Sequence, residues 1–195
     1  IGYIYNNNSS NNFNINVSYC YSTGDIGTYA GGICGRFAGK NGNCTISYCY
    51  STGDIGQHAG GICGNNVSRE NGVCTISYCY STGDIGDDAG GICGSYVGYK
   101  GVCIVSYSYS TGEIKGDKAG GICGFVAGNN GVCTVSNCYS IGVIEGTSAG
   151  GICGYGSGGN GECTVRNCIS QRISGNLKGG SNNIDGKTMD GDLPG

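Results

Sequence analysis

The stretch CTISYCYSTGDIGQHAGGICG, from Cys44 to Gly64, is written again almost letter for letter from Cys74 to Gly94 as CTISYCYSTGDIGDDAGGICG. This recurrence constrains the fold more than any other feature. The AGGICG core occurs five times, with its cysteines at Cys34, Cys63, Cys93, Cys123 and Cys153. A short variable loop leads to a second column, Cys44, Cys74, Cys103, Cys133 and Cys163. A third column holds Cys20, Cys49, Cys79, Cys138 and Cys168, with Ser108 where one more would fall. These columns contain all 15 cysteines, so the cysteines belong to the repeat and not to isolated sites. The period is 29 or 30 residues, and the loop after GGICG is expected to absorb the difference.

A period of this size belongs to solenoids and arrays. Helical repeats are excluded by the abundance of glycine and β-branched residues and by the lack of a 3.6-residue apolar stripe. Segments such as TISYCYS, closed by TGD or GG, read as short strands. A strand this short cannot bury a face alone, but identical coils stacked in parallel can. The expected fold is therefore all-β: a single-stranded parallel β-helix solenoid of about six coils of 29–30 residues. Right-handed winding is expected from the general preference of parallel crossovers.

Three apolar columns are the expected core. They are the series from Ile33 to Ile152, from Ile26 to Ile144, and from Val17 through Ile46 and Ile76 to Val165. The glycine column Gly24, Gly53, Gly83, Gly112 and Gly142, and the pairs beginning at Gly31 and Gly32, are expected at corners. Such positions need positive φ or close backbone approach. Residues 1–16 match the repeat poorly and read as an atypical N-terminal coil or cap. Residues 17–169 carry the repeats, and residues 170–195 read as a C-terminal cap or linker.

The unit TxxxCYSTGDI followed by AGGICG resembles the GLUG-motif repeat, whose usual form has a GGLVG core and a segment like NCYATGNV. Here GGICG replaces GGLVG and YCY replaces NCY in the earlier coils, while Asn137-Cys138-Tyr139 and Asn167-Cys168 keep the closer form. The likeness covers about residues 15–170. It implies a β-helical segment of a large extracellular protein, of the adhesin or surface-anchored type. It implies no catalytic residue.

The cysteine density also points to an extracellular or surface setting on a cell, filament or virion, because tight CxxC metal spacings are missing. The first two columns lose no member, whereas the third tolerates Ser108. Disulfides are accordingly expected within coils: Cys34–Cys44, Cys63–Cys74, Cys93–Cys103, Cys123–Cys133 and Cys153–Cys163. The rival pairing joins stacked cysteines between coils, at some cost in geometry. Metal ligation ranks last, since no histidine column accompanies the sulfurs. The third column is expected to hold buried thiols acting as small apolar groups.

Two tyrosine columns flank that third column. Tyr19, Tyr48, Tyr78 and Tyr107 end in Asn137 and Asn167, which suggests a turn. Tyr21, Tyr50, Tyr80, Tyr109 and Tyr139 form the second and are the candidate binding stripe, for surface glycans or another subunit. Asp25, Asp54, Asp84 and Glu113 read as a solvated acidic edge. The single histidine, His58, has no repeated serine or acid partner and reads as a surface residue. Thr23, Thr52, Thr82 and Thr111 make a hydroxyl row of the kind that can order water.

Charged residues make up only 12% of the chain and the net charge is -3, so no basic face suggests nucleic acid. No apolar run approaches the ~20 residues of a membrane span, and no motif calls for a cofactor. The sequence thus reads as a non-enzymatic structural or adhesive module that associates with itself or with neighbouring domains. The alternative is carbohydrate binding through the tyrosine stripe, with ice binding or polysaccharide degradation behind it.

Overall fold

The computed structural model describes residues 14–170 and a short strand at 187–188. Each coil contributes one longer and one shorter strand. The longer strands are β1 (Ile15–Ser18), β3 (Asn43–Ser47), β5 (Val73–Ser77), β7 (Val102–Ser106), β9 (Val132–Ser136) and β11 (Glu162–Arg166). The two-residue strands are β2 (Tyr21–Ser22), β4 (Tyr50–Ser51), β6 (Tyr80–Ser81), β8 (Tyr109–Ser110), β10 (Tyr139–Ser140), β12 (Ile169–Ser170) and β13 (Lys187–Thr188). One sheet runs in the order β1-β3-β5-β7-β9-β11, the other β13-β12-β10-β8-β6-β4-β2. All pairings are parallel and strictly in register, with Cys44 beside Cys74 and Ile46 beside Ile76. A third side is closed by single bridges such as Ile55 to Ile85, Gly60 to Gly90 and Cys63 to Cys93. The chain is thus an all-β parallel solenoid of about five turns, one fewer than expected, because six strand layers enclose five full windings. The first strand begins at Ile15, in register with Cys44; the expected N-terminal and C-terminal caps fall largely outside the described residues.

Alternation sets the core. In β3 the pattern of NCTIS places Cys44 and Ile46 inward and Asn43 and Thr45 outward. The columns of Ile62 and Ile46 fill one cluster together with the cysteines. The Ile26 column does not join them. It packs with Ala30, Ala59, Ala89, Ala119 and Ala149 in a separate cluster. Between the two lies a wall of small residues: Ser51, Ser81 and Ser110 are fully buried, and a Cβ on Gly91 would stand 2.6 Å from the Ser110 Cβ.

The glycine columns are explained by close approach alone. A Cβ on Gly53 would lie 2.1 Å from the Gly24 carbonyl oxygen of the preceding coil, and on Gly60 it would lie 2.4 Å from the Gly94 nitrogen of the next. Neither column has positive φ. Left-handed φ occurs elsewhere: at Gly39, Gly98, Gly128 and Gly158, with φ of 69° to 79°, and at a corner filled by side-chain-bearing residues, where Tyr19, Tyr48, Tyr78 and Tyr107 have φ of 55°, 55°, 54° and 48°, and Asn137 and Asn167 have 52° and 50°. The asparagines thus mark a turn, as expected.

The one-residue variation in period is absorbed in two places, which corrects the expectation of one. Coil two has an extra residue after GGICG, accommodated where Glu70 and Asn71 both take positive φ, 57° and 67°. The fourth and fifth coils have theirs at Lys115 and Glu145. There two successive N–H groups, Lys115 and Gly116, donate to the single carbonyl of Ile85 at 3.0 and 2.9 Å, a bulge repeated by Glu145 and Gly146 on Ile114.

Candidate functional site

Ten sulfurs line one interior. Cys123 Sγ and Cys133 Sγ face each other at 3.8 Å, and Cys153 and Cys163 at 3.5 Å. Cysteines of these two columns also meet their equivalents in adjacent coils: Cys63, for instance, meets Cys34 and Cys93 above and below it, and Cys74 within its own coil. Rungs within coils and rails between them form one continuous ladder. Apart from the half-buried Cys163 these two columns are buried, and the geometry brings the partners of the expected within-coil pairs Cys123–Cys133 and Cys153–Cys163 together. Burial, and then its sulfur neighbours, hold the Cys63 thiol well above its ordinary value. The adjacent Cys44 and burial push Cys34 up to about 12. Thiolate is the reactive species, so Cys34 and Cys63 are chemically quiet, whereas hydrogen bonds from the neighbouring sulfurs, Cys133 foremost, hold Cys103 well below its ordinary value. Among the described residues no cluster of three or more His, Cys, Asp or Glu side chains could hold a metal ion.

The third column is not merely apolar. Cys49 Sγ donates to the Ser47 carbonyl at 3.2 Å and Cys79 Sγ to the Ser77 carbonyl at 3.2 Å. Ser108 Oγ makes the same bond to the Ser106 carbonyl at 2.8 Å. The column therefore selects a small donor that is also an acceptor, and serine qualifies.

The candidate stripe Tyr21, Tyr50, Tyr80, Tyr109 and Tyr139 forms a continuous parallel stack, with ring centroids 4.7 to 5.3 Å apart. Burial, and then the adjacent Tyr80, raise the Tyr109 hydroxyl above its ordinary pKa. The companion column is more open: Tyr48, Tyr78 and Tyr107 are 49%, 49% and 54% exposed, whereas beyond Tyr21 the stripe is half-buried. Within both columns successive rings cover one another's faces, and the end rings Tyr19 and Tyr21, 78% and 65% exposed, stack on one neighbour each. Between the ends, what reaches solvent is ring edges and hydroxyls, so a sugar that binds by lying on an aromatic face finds no open face along the stacks. In the threonine row Thr23, Thr52 and Thr82 are exposed and Thr111 is half-buried.

The acidic column has a structural task that its sequence did not reveal. Asp25 Oδ1 accepts the Asp54 N–H, Asp54 Oδ1 the Asp84 N–H, and Asp84 Oδ1 the Glu113 N–H, at 3.1–3.2 Å. Each carboxylate caps the next coil, so the column is a bonded ladder and not only a solvated edge.

His58 likewise gains partners across coils, contrary to its reading as an isolated surface residue. It stacks on Tyr29 at 4.9 Å, its Nδ1 lies 3.1 Å from Ser95 Oγ, and its Nε2 lies 3.8 Å from Asp88 Oδ2. Serine, histidine and aspartate are together, but the proton directions differ from those of a catalytic triad. Ser95 Oγ donates to the Asp88 carbonyl at 2.6 Å, so His58 Nδ1 is the donor to that oxygen and cannot take its proton. A nucleophilic serine needs the opposite polarity. Ser95 is also fully buried.

Sequence reasoning missed one further site. Asn66, Arg69, Tyr96 and Tyr99 line a notch of about 280 Å³ on the outer loops of coils two and three. Tyr96 meets Tyr99 edge to face at 6.3 Å and Phe125 at 5.6 Å. Unlike the ladders, these rings do not lie face to face. The only sequence signal was the extra residue of the second coil.

Scans of the chain against family models, curated proteins and solved structures return no match in any of the three, so the likeness to the GLUG-motif repeat rests on the motif residues alone.

Proposed function

We propose that this chain is a non-enzymatic structural or adhesive rod, a stiff β-solenoid module of a surface, virion or filament protein in an extracellular setting. One observation carries the reading: chemistry-bearing side chains recur at the same place in coil after coil, as in the tyrosine stack from Tyr21 to Tyr139. Catalysis calls for a unique constellation, whereas load-bearing and multivalent contact call for repetition. The buried sulfur ladder favours durability, since sulfurs in register can be joined without moving the backbone far. Edge-on tyrosines favour contact with another protein surface over stacking on a sugar ring. Carbohydrate binding by the stripe is accordingly the weaker reading.

The test is association. Sedimentation velocity and negative-stain electron microscopy of the purified chain are expected to show concentration-dependent assemblies of rods. Tyr48→Ser, Tyr78→Ser and Tyr107→Ser combined should weaken them while the rod stays folded. A chain that remains monomeric at millimolar concentration and attaches to no surface would overturn the proposal.

A further inference from the structure

The notch beside coil two departs from everything the repeat dictates. It lies where an extra residue breaks the period, and its side chains belong to no ladder. Arg69 is its centre. Its guanidinium sits over the Tyr99 ring, 5.2 Å from the centroid, which fixes its position. Its Nε is buried yet makes no hydrogen bond. The nearest carboxylate oxygen, Glu70 Oε1 at 3.4 Å, is in ion-pair range but not in hydrogen-bonding geometry. The Arg69 side chain as a whole is 34% exposed, so an incoming anion can meet its charge from the solvent side of the notch while the buried Nε stays with the loop.

Local charge points the same way. Glu70 is shared between Arg69 and Lys40, the latter at 3.3 Å. Lys100 stands 5.6 Å from the Tyr99 ring. Arg69 is thus the charged residue of the lining, with Lys100 beside its Tyr99 wall, on a chain whose net charge is -3. The remaining wall is the amide-bearing Asn66, 8% exposed, and the aromatic Tyr96. A ligand that suits all of these is compact and ring-shaped, with one carboxylate for Arg69, hydroxyls for Asn66 and C–H groups for the tyrosine. The volume admits one such ring.

We propose that Asn66, Arg69, Tyr96 and Tyr99 bind a carboxylated pyranose, the unit shared by uronic-acid polymers and sialylated glycans. This deepens the adhesive half of the reading above and rests on it only for its biological use; the rod stands without it.

Isothermal titration with tetragalacturonate and with sialyllactose separates the two sources of this chemistry. Binding of at least one in the micromolar to millimolar range is expected. Carboxyl reduction of the probe and Arg69→Ala should each weaken it about tenfold or more, the range of a lost charge-assisted bond. Arg69→Gln provides a second variant that retains an amide donor, and it should also lose binding. Glu162→Gln, an exposed position in β11 away from the notch, should leave affinity unchanged. Thermal melts establish that each variant is folded. The proposal is overturned if neither probe binds the wild-type chain, if the reduced probe binds equally well, or if a folded Arg69 variant keeps full affinity. Loss of binding with rods still assembling would separate this site from the structural role.

Discussion

The backbone N–H of Cys79 donates to the Oγ of Ser108, one coil further along, at 3.1 Å. The same bond runs from the Cys20 N–H to Cys49 Sγ at 3.4 Å. Cysteine and serine are interchangeable here because both accept from one coil and donate within their own. Ser108→Cys should therefore change stability by less than about 0.5 kcal/mol. Ser108→Ala leaves the Cys79 N–H unpaired in the interior, while the Ser106 carbonyl keeps the Tyr78 N–H, and should cost about 1–2 kcal/mol. Chemical denaturation of the two variants measures the difference. Equal stability would show that the column is only a packing position.

Two glycines of one column should respond oppositely to alanine. Gly24 has open space where its Cβ would go, and Gly53 has the Gly24 carbonyl oxygen at 2.1 Å. Gly24→Ala should be neutral within about 0.5 kcal/mol. Gly53→Ala forces two coils apart and should cost about 3 kcal/mol or more. Melting temperatures of the two variants decide it.

Thiol chemistry should sort the cysteines by position. In the reduced protein Cys20, the exposed one, should react rapidly with an aromatic disulfide reagent, and the ladder thiols only on unfolding. After oxidation, mass spectrometry of unreduced peptides should find Cys153 joined to Cys163 and Cys123 to Cys133, the sulfurs that face each other at 3.5 and 3.8 Å. Each bridge closes a loop of about ten residues and should add about 2–3 kcal/mol. Peptides joining Cys63 to Cys93 would show that the rails, and not the rungs, are the favoured bonds.

Asp84 offers a pH test. The bond from Lys115, and to a lesser degree the Glu113 N–H, holds its carboxyl below the ordinary value. Its folded pKa is therefore depressed. The stabilisation is present above the unfolded carboxylate pKa and is lost as pH falls through the folded one. Both side chains are well exposed, so solvent screening keeps the contribution small. Lys115→Gln should move the Asp84 midpoint upward in an NMR titration. An unmoved midpoint would mean that the ion pair does not persist in solution.

Much of the fold was legible in the repeat. Equivalent residues such as Ile62 and Ile92 could be matched by counting, and parallel stacking followed because strands so short have no other way to bury a face. The ladders of cysteine and tyrosine followed from the same counting. The notch did not, because Arg69 and Tyr99 sit in the loops where the repeat varies, and a loop's shape is fixed by backbone conformation that no periodicity encodes.

The sequence by itself thus determined which residues lie over one another, since a period of 29 or 30 whose variation falls outside the strands, with one hydrogen-bonded layer per coil, admits a single register. Tertiary structure alone decided direction and environment. It set whether Gly53 was needed for φ or for space, which way the Ser95 proton points, and that Arg69 Nε is buried without an acceptor. These depend on the orientation of groups contributed by different coils, and orientation at ångström scale is a property of packing, not of order along the chain.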